Sequence, residues 1–362
     1  MIPFHVGGSI LVRLRREGTQ AVTIADVARL AGVSTATVSR ALSASAALRP
    51  ETLALVEAAV ARTGYMPNVA ARTLRGRRSM VVLVVVPDIA NPFFSGVLRG
   101  LEDELSQHGY GLLIGDIGPH NEKQAQIVGV VQAGQVDGVV LLNGHIPRKA
   151  GRDLTALGIP IVAVCEPIEK ATFPQVEVRN HEAARQAGAH LAALGHRHVA
   201  YLGGPARNIL ERQRQAGFRE GLAEAGCELQ PGWIFLGDFT MASGALAARS
   251  FVMAVPRPTA VFAANDEMAI GFLKTIQAAG LRVPDDVSLI GFDGIEFADF
   301  VEPTLTTFRQ PREALGRMGA GLLLRAMAGE TIAPEEARVR LDAVLLDRDS
   351  TAAAPAPKAL SR

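Results

Sequence analysis

Two cysteines, Cys165 and Cys227, are all that 362 residues contain. A disulfide framework is excluded, and a reducing compartment is expected. Apolar runs stay strand-sized, as at Val81–Val86, far below the ~20 residues of a membrane span. The opening Met1–Gln20 places its apolar stretch before its arginines, the reverse of a secretory signal, so a cytoplasmic location is expected. Enzyme signatures are missing too. There is no phosphate loop, no glycine-rich dinucleotide fingerprint and no nucleophile elbow. His181-Glu182 begins like a zinc-protease helix, but Arg185 stands where the second histidine belongs. His196 and His198 have no Cys or acid at ligand spacing. No metal, cofactor or catalytic residue is expected.

What is present is an ordinary globular mixture, 48% hydrophobic and 20% charged. The net charge of +1 hides an asymmetry, since residues 1–80 hold eleven arginines against four acids. A small basic head on an acidic body suits a nucleic-acid contact at one end. In that head Thr23, with Asp26 three residues on, caps a first helix that stops at Gly32. Ser34 caps a second, Thr35–Leu42, and Pro50 opens a third that ends at Gly64. A fourth short helix is expected at Asn68–Leu74, before the linker Gly76–Ser79. Ala28, Val33 and Val38 lock the first pair into a helix-turn-helix, leaving Ser34, Thr35, Ala36, Thr37, Ser39 and Arg40 to face outward.

From Met80 onward short β-branched runs alternate with amphipathic helical stretches. The runs are Val81–Val86, Gly111–Ile114, Gly138–Leu142, Pro160–Val164, Val199–Leu202, Trp233–Leu236, Ala260–Ala263 and Ser288–Gly291. This is the pattern of parallel strands buried on both faces. Eight runs suggest two doubly wound subdomains, with a first crossover near Val178–Asn180; one closed (β/α)₈ barrel is the alternative. The tail, residues 350–362, is expected to be disordered.

The stretches VTIADVARLAGVSTATVSRAL, TGYMPNVAARTL, PDIANPFF, GHRHVAYLGGP, RQAGFREGL, TAVFAANDEMAIG, VPDDVSLIGFDG and EPTLTTFRQP run in one order from Val22 to about Asp349. In this the chain resembles the lactose-repressor (LacI) family of bacterial transcription regulators, with VVVPDIANPFFSGVLRG and LLIGD most similar to its cytidine-repressor branch. Met1–Gln20 has no counterpart in the family. It is either a real extension or a misassigned start. The resemblance implies an α/β protein with a small all-α helix-turn-helix head and two subdomains of periplasmic-binding-protein type. The expected parts are an extension at 1–20, a DNA-binding domain at 21–66, a hinge helix and linker at 67–79 and an effector-binding core at 80–349.

It also implies roles. Thr35, Ala36 and Arg40 fall where the family reads base edges, and Arg40 can fork onto guanine O6 and N7. Ser34, Thr37, Ser39 and Ser43 are short donors suited to phosphate. Asn68–Leu74 matches the hinge helix, with Leu74 as a minor-groove wedge; Thr23, Asn68 and Ala71 complete the DNA-facing set. The effector set is Arg214, Asp266 and Phe239, with one ring of Phe93 or Phe94 lining the cleft, because two adjacent rings are not expected to share one core. Asn143, Glu166 and Asp293 stand at strand ends beside it. Such a set suits a neutral, hydroxyl-rich ligand with a flat part, a nucleoside or a sugar-like molecule. The expected protein is a homodimeric repressor on a pseudo-palindromic operator. A sugar- or nucleoside-processing enzyme fused to a DNA-binding head, or a solute-binding protein, are the alternatives.

Overall fold

The computed structural model describes residues 22–42, 48–65, 78–118 and 123–355. The expected extension Met1–Gln20, Ser43, the hinge positions Asn68, Ala71 and Leu74, and residues 356–362 lie outside them. The chain divides into two units, Met1–Ser79 and Met80–Arg362.

The first unit holds α1 (Ile24–Ala31), α2 (Thr35–Leu42) and α3 (Pro50–Thr63). The Asp26 carboxylate accepts both the Thr23 backbone N–H (3.0 Å) and its hydroxyl (2.7 Å), which starts α1. Gly32 ends it at φ 68°, a conformation that a side chain would strain. Ser34 Oγ accepts the Thr37 N–H at 3.1 Å and so caps α2. Val27, Ala28, Ala31, Val38, Val56 and Ala59 form one small core. Each helix buries a single stripe there and leaves its other face to solvent.

The second unit is built on two six-stranded sheets, not one closed barrel. The first contains β1 (Val81–Val86), β2 (Gly111–Asp116), β3 (Gly138–Leu141), β6 (Ile161–Cys165), β7 (Gln175–Val178) and β13 (Arg338–Leu341), in the order β13-β7-β6-β3-β1-β2. A two-residue hairpin, β4 (Arg148–Lys149) with β5 (Arg152–Asp153), stands apart from it. The second contains β8 (Val199–Gly203), β9 (Ile234–Leu236), β10 (Ala260–Ala263), β11 (Ser288–Asp293), β12 (Thr306–Arg309) and β14 (Val344–Leu346), in the order β14-β12-β11-β10-β8-β9. All pairs within the two sheets are parallel except β12 with β14. Helices α4 (Phe93–Gln107), α5 (Gln124–Gln132) and α10 (Arg312–Met327) cover the first sheet; α6 (Asn180–Ala193), α7 (Ile209–Glu224), α8 (Met241–Val252) and α9 (Asp266–Ala278) cover the second. The chain passes between sheets after β7, between β12 and α10, and between β13 and β14. The carboxyl ends of both sets of strands therefore border one cleft.

Two features depart from the sequence reading. β12 and β13 have no apolar run, and that of β14 is only three residues long. β12 buries Thr306 and Thr307 because their hydroxyls pair inside, Thr307 Oγ1 donating to Asp266 at 2.6 Å. The tail is not disordered over residues 350–355. Ser350 is fully buried, its carbonyl accepts the Leu289 N–H at 2.8 Å, and its hydroxyl donates to the Leu289 carbonyl at 2.6 Å. Ala354 N–H then donates to the Leu194 carbonyl at 2.8 Å. Small residues let this segment lie against the sheet and supply backbone partners that solvent would otherwise provide.

Candidate nucleic-acid interface and ligand cleft

On the head, Ser34, Thr35, Ala36 and Arg40 are exposed along α2, with Thr37 and Ser39 half-buried and Val38 buried beneath them. No carboxylate pairs with Arg40 among the described residues. The Ser34 and Thr37 hydroxyls bond one another at 2.9 Å, which leaves one hydroxyl hydrogen of the pair free to donate. Thr23 is different. Its hydroxyl donates to Asp26 at 2.7 Å and so also helps to cap α1.

In the core, a cavity of about 320 Å³ lies between the sheets at their carboxyl edges. Phe93, Phe94 and Phe239 give it apolar walls, and Asn143, Glu166, Arg214 and Asp293 give it buried polar ones. Arg214 is fixed from three sides. Nε donates to Asn180 Oδ1 at 2.9 Å, Nη1 donates to the Ala264 carbonyl at 2.5 Å, and the guanidinium carbon sits 3.8 Å from the Phe292 ring centroid. Nη2 has no protein partner among the described residues. Asp293 lies 3.9 Å from Nη1 and accepts from Gln310 Nε2 at 2.7 Å. Burial raises its carboxyl, while Arg214 and Gln310 pull it back. Glu166 accepts from Asn208 Nδ2 at 2.6 Å, a bond that joins the two subdomains. Burial pushes its carboxyl up to about 7, against the opposing pull of His145, Asn208 and Arg214. Glu267, half-buried, is also raised to about 7 by burial and by the charges of Asp293 and Asp88.

Asn143 is the anomaly. It is 4% exposed, and neither its amide nitrogen nor its amide oxygen has a partner among the described residues. Such a group costs about 1–3 kcal/mol unless something pairs with it. Its backbone carbonyl accepts from His145 Nδ1 at 2.8 Å.

A model of bacterial regulatory proteins of the lacI family matches residues 23–68, and one of periplasmic binding protein-like domains matches residues 189–351. The HTH-type transcriptional repressor CytR of Escherichia coli (strain K12) is 37% identical over 335 residues, covering 92% of this chain and 98% of its own. The chain belongs to the LacI family. Among solved structures, the lac repressor dimer bound to operator and the anti-inducer ONPF covers 92% of this chain and is covered in full, at 28% identity and TM-score 0.81. A complex of the transcriptional regulator CelR with cellobiose is 34% identical, covering 91% of this chain and 99% of its own, at TM-score 0.70. This LacI-family chain is thus a transcriptional regulator with a helix-turn-helix head, not an enzyme.

Of the residues expected in the cleft, Phe93, Phe94, Asn143, Glu166, Arg214, Phe239 and Asp293 meet at one cavity, and Asp266 does not. Asp266 is fully buried behind it. Its carboxylate accepts from Thr307 Oγ1 at 2.6 Å and from the Ile295 N–H at 2.9 Å, so it ties α9 to β12 and to the loop after β11. Burial and the neighbouring Asp293 charge hold it well above the usual carboxylate range. The helix cap is Asn265. Its side chain accepts from the Met268 N–H at 3.0 Å and donates to the Phe239 carbonyl at 2.9 Å, which pins Phe239 at φ 70°. The two phenylalanines also differ from expectation. Phe93 and Phe94 share one core, packed edge to face at 5.2 Å, and both line the cavity. They open a helix, where consecutive side chains diverge by about 100° and both reach the cleft end of the sheet. Residues the sequence reading missed include Asn265, Glu267, Asn208 and Gln310. The signal for Asn265 was there, since Asn is as good a cap as Asp and precedes it by one residue.

Proposed function

We propose that this chain is a cytoplasmic homodimeric repressor whose operator affinity is set by a nucleoside or sugar-like effector in the cleft. The observation that carries the effector reading is the buried, unpartnered Asn143 amide, in the same cavity as the open Nη2 of Arg214. A ligand with paired hydrogen-bond donors and acceptors satisfies both. Phe239 adds a face on which a base or the apolar side of a sugar ring can stack. The cavity, about 320 Å³, is at the small end of ligand sites, which favours a nucleoside or a small sugar.

The DNA half of the reading rests on exposed Thr35, Ala36 and Arg40 as base contacts, with Ser34, Thr37 and Ser39 on phosphates. Leu74 is proposed as the wedge on family resemblance. Dimerisation draws support from apolar surface that a monomer has no use for. Leu113 and Ile114 are exposed on the edge strand β2, and Phe300 is 85% exposed with Phe297 beside it. Two heads on one two-fold axis match a pseudo-palindromic operator. Among the described residues no helix is long and apolar enough to cross a membrane.

Ligand binding spans both subdomains, so it changes the free energy of their relative angle. A coupling of about 1–3 kcal/mol then shifts operator occupancy roughly 5–150-fold. The test is a thermal-shift screen of the full chain against nucleosides, purine bases and sugars, followed by titration of labelled operator with the best hit. A stabilising ligand that also changes operator affinity supports the reading. Stabilisation without any change in operator affinity sinks it.

A further inference from the structure

The cleft has an outer chamber as well as the inner cavity. This second space, of about 530 Å³, shares His145, Glu166 and Arg207 with the first. The two differ in charge. The inner wall carries the carboxylates of Asp88, Glu166, Asp238, Glu267 and Asp293 against the guanidiniums of Arg207 and Arg214. The outer wall carries Arg148, Arg207 and Arg212 against Glu166 and Glu169.

Both outer acids are already engaged. Arg212 Nη2 donates to Glu169 Oε1 at 2.7 Å, and Glu166 accepts from Asn208. Asp153 faces Arg148 across the β4–β5 pair, yet its Oδ1 accepts the Thr155 hydroxyl and N–H, at 2.5 and 3.1 Å. Arg148 and Arg207 make no salt bridge among the described residues, and the Asp153 charge acts on Arg148 only at longer range. Arg148 belongs to the first subdomain and Arg207 to the second. Two cations on opposite walls of one chamber favour an anion that enters between them. The first turn of α7 contributes Ile209 to the same wall and adds the positive end of its helix dipole.

We infer that the outer chamber is a phosphate site, in which a phosphate monoester or free phosphate bridges Arg148 and Arg207 across the cleft mouth. Guanidiniums pair phosphate oxygens in forked geometry, and the acid-lined inner cavity repels the same dianion. A phosphorylated effector is thereby oriented, its hydroxyl-bearing part inward and its phosphate outward. This orientation rests on the effector reading above; the phosphate site itself does not.

The full chain is titrated at fixed ionic strength, since chloride screens exposed arginines. One arm follows inorganic phosphate by ³¹P line broadening. The other compares adenosine, cytidine, guanosine and uridine with their 5′-monophosphates by calorimetry. Arg148→Ala and the Arg148→Ala/Arg207→Ala double variant are run beside the wild type. The expected result is saturable phosphate broadening, or a monophosphate at least about tenfold tighter than its nucleoside, lost in the double variant. Arg148→Ala alone leaves nucleoside affinity within about twofold, because Arg148 lies outside the inner cavity. Broadening without any monophosphate advantage marks free phosphate as the occupant; the advantage without broadening marks the effector's own phosphate. Neither effect, or effects unchanged in the double variant, overturns the site. Nucleosides that bind while no phosphate does leave the effector reading standing and this one refuted. Phosphate that binds while no nucleoside or monophosphate does leaves the reverse.

Discussion

Glu166→Gln isolates one buried carboxyl and tests how the cleft is poised. Glu166 is 6% exposed, and burial moves its carboxyl from an ordinary 4.5 to about 7. An acid raised on folding holds its proton in the native state at pH values where the unfolded chain has lost it. Stability therefore falls as pH rises from 4.5 through 7, and levels off above. At about 1.4 kcal/mol per pH unit the full cost approaches ~3 kcal/mol, a figure that already includes the opposing pull of the Asn208 bond. Glutamine keeps the acceptor for Asn208 Nδ2 and cannot ionise. The variant should match the wild type near pH 5 and exceed it by about 1–3 kcal/mol at pH 8. Trp233, the only tryptophan, belongs to the second subdomain, so its fluorescence in urea titrations from pH 5 to 8 follows the core directly. Glu267 contributes a slope of the same sign, which cancels in the difference between the two proteins. A wild-type-minus-variant difference that stays flat across this range would refute the reasoning.

Arg40→Ala is expected to cost about 1–3 kcal/mol at one base pair of each half-site and to leave the fold intact; equal weakening on every DNA sequence in gel-shift competition makes Arg40 a phosphate contact instead. Arg214→Ala should abolish the effector response while operator binding persists, since it removes a buried donor held by Asn180 and Ala264; calorimetry showing full affinity in the variant moves the effector site elsewhere. Phe239→Ala should lower nucleoside affinity by about 1–3 kcal/mol of stacking and sugar affinity by less, and equal losses for both would deny it a stacking role. Truncation after Asp349 leaves the buried Leu289 and Thr306 N–H groups without Ser350, so a loss of about 2–5 kcal/mol is expected in the core transition, against an unchanged melting temperature if the tail is idle.

The head was legible in the sequence because its determinants are local. A cap, a glycine and a few apolar positions within twenty residues specify α1 and α2, and the same pattern leaves Thr35, Ala36 and Arg40 exposed. The sheets were legible wherever strands are buried on both faces, as in β1 and β10. Strand β12 was not, because Thr306 and Thr307 are buried through hydrogen bonds to partners more than forty residues away. Those partners are Thr351 and Asp266. No window of sequence around β12 contains either.

The cleft was legible in membership but not in phase. Asn265 and Asp266 are adjacent, both are accepted helix caps, and only one of them reaches the ligand space. The choice follows from which one the chain uses as the cap. With Asn265 at that position, its carbonyl-side geometry aims its amide at Phe239, and the next residue turns by about 100° into the sheet. There Asp266 meets Thr307 of β12 and the Ile295 N–H of the loop after β11, two donors delivered by segments that follow it in the chain. A buried carboxylate with both oxygens engaged has little left to offer a ligand, whereas Asn143, with neither amide atom engaged, has everything left to offer. Residue type at a strand end thus nominates a ligand contact, and the count of partners already spent decides between nominees. That count depends on the second sheet's crossover order, which is why it becomes readable only once β11, β12 and α9 are in place.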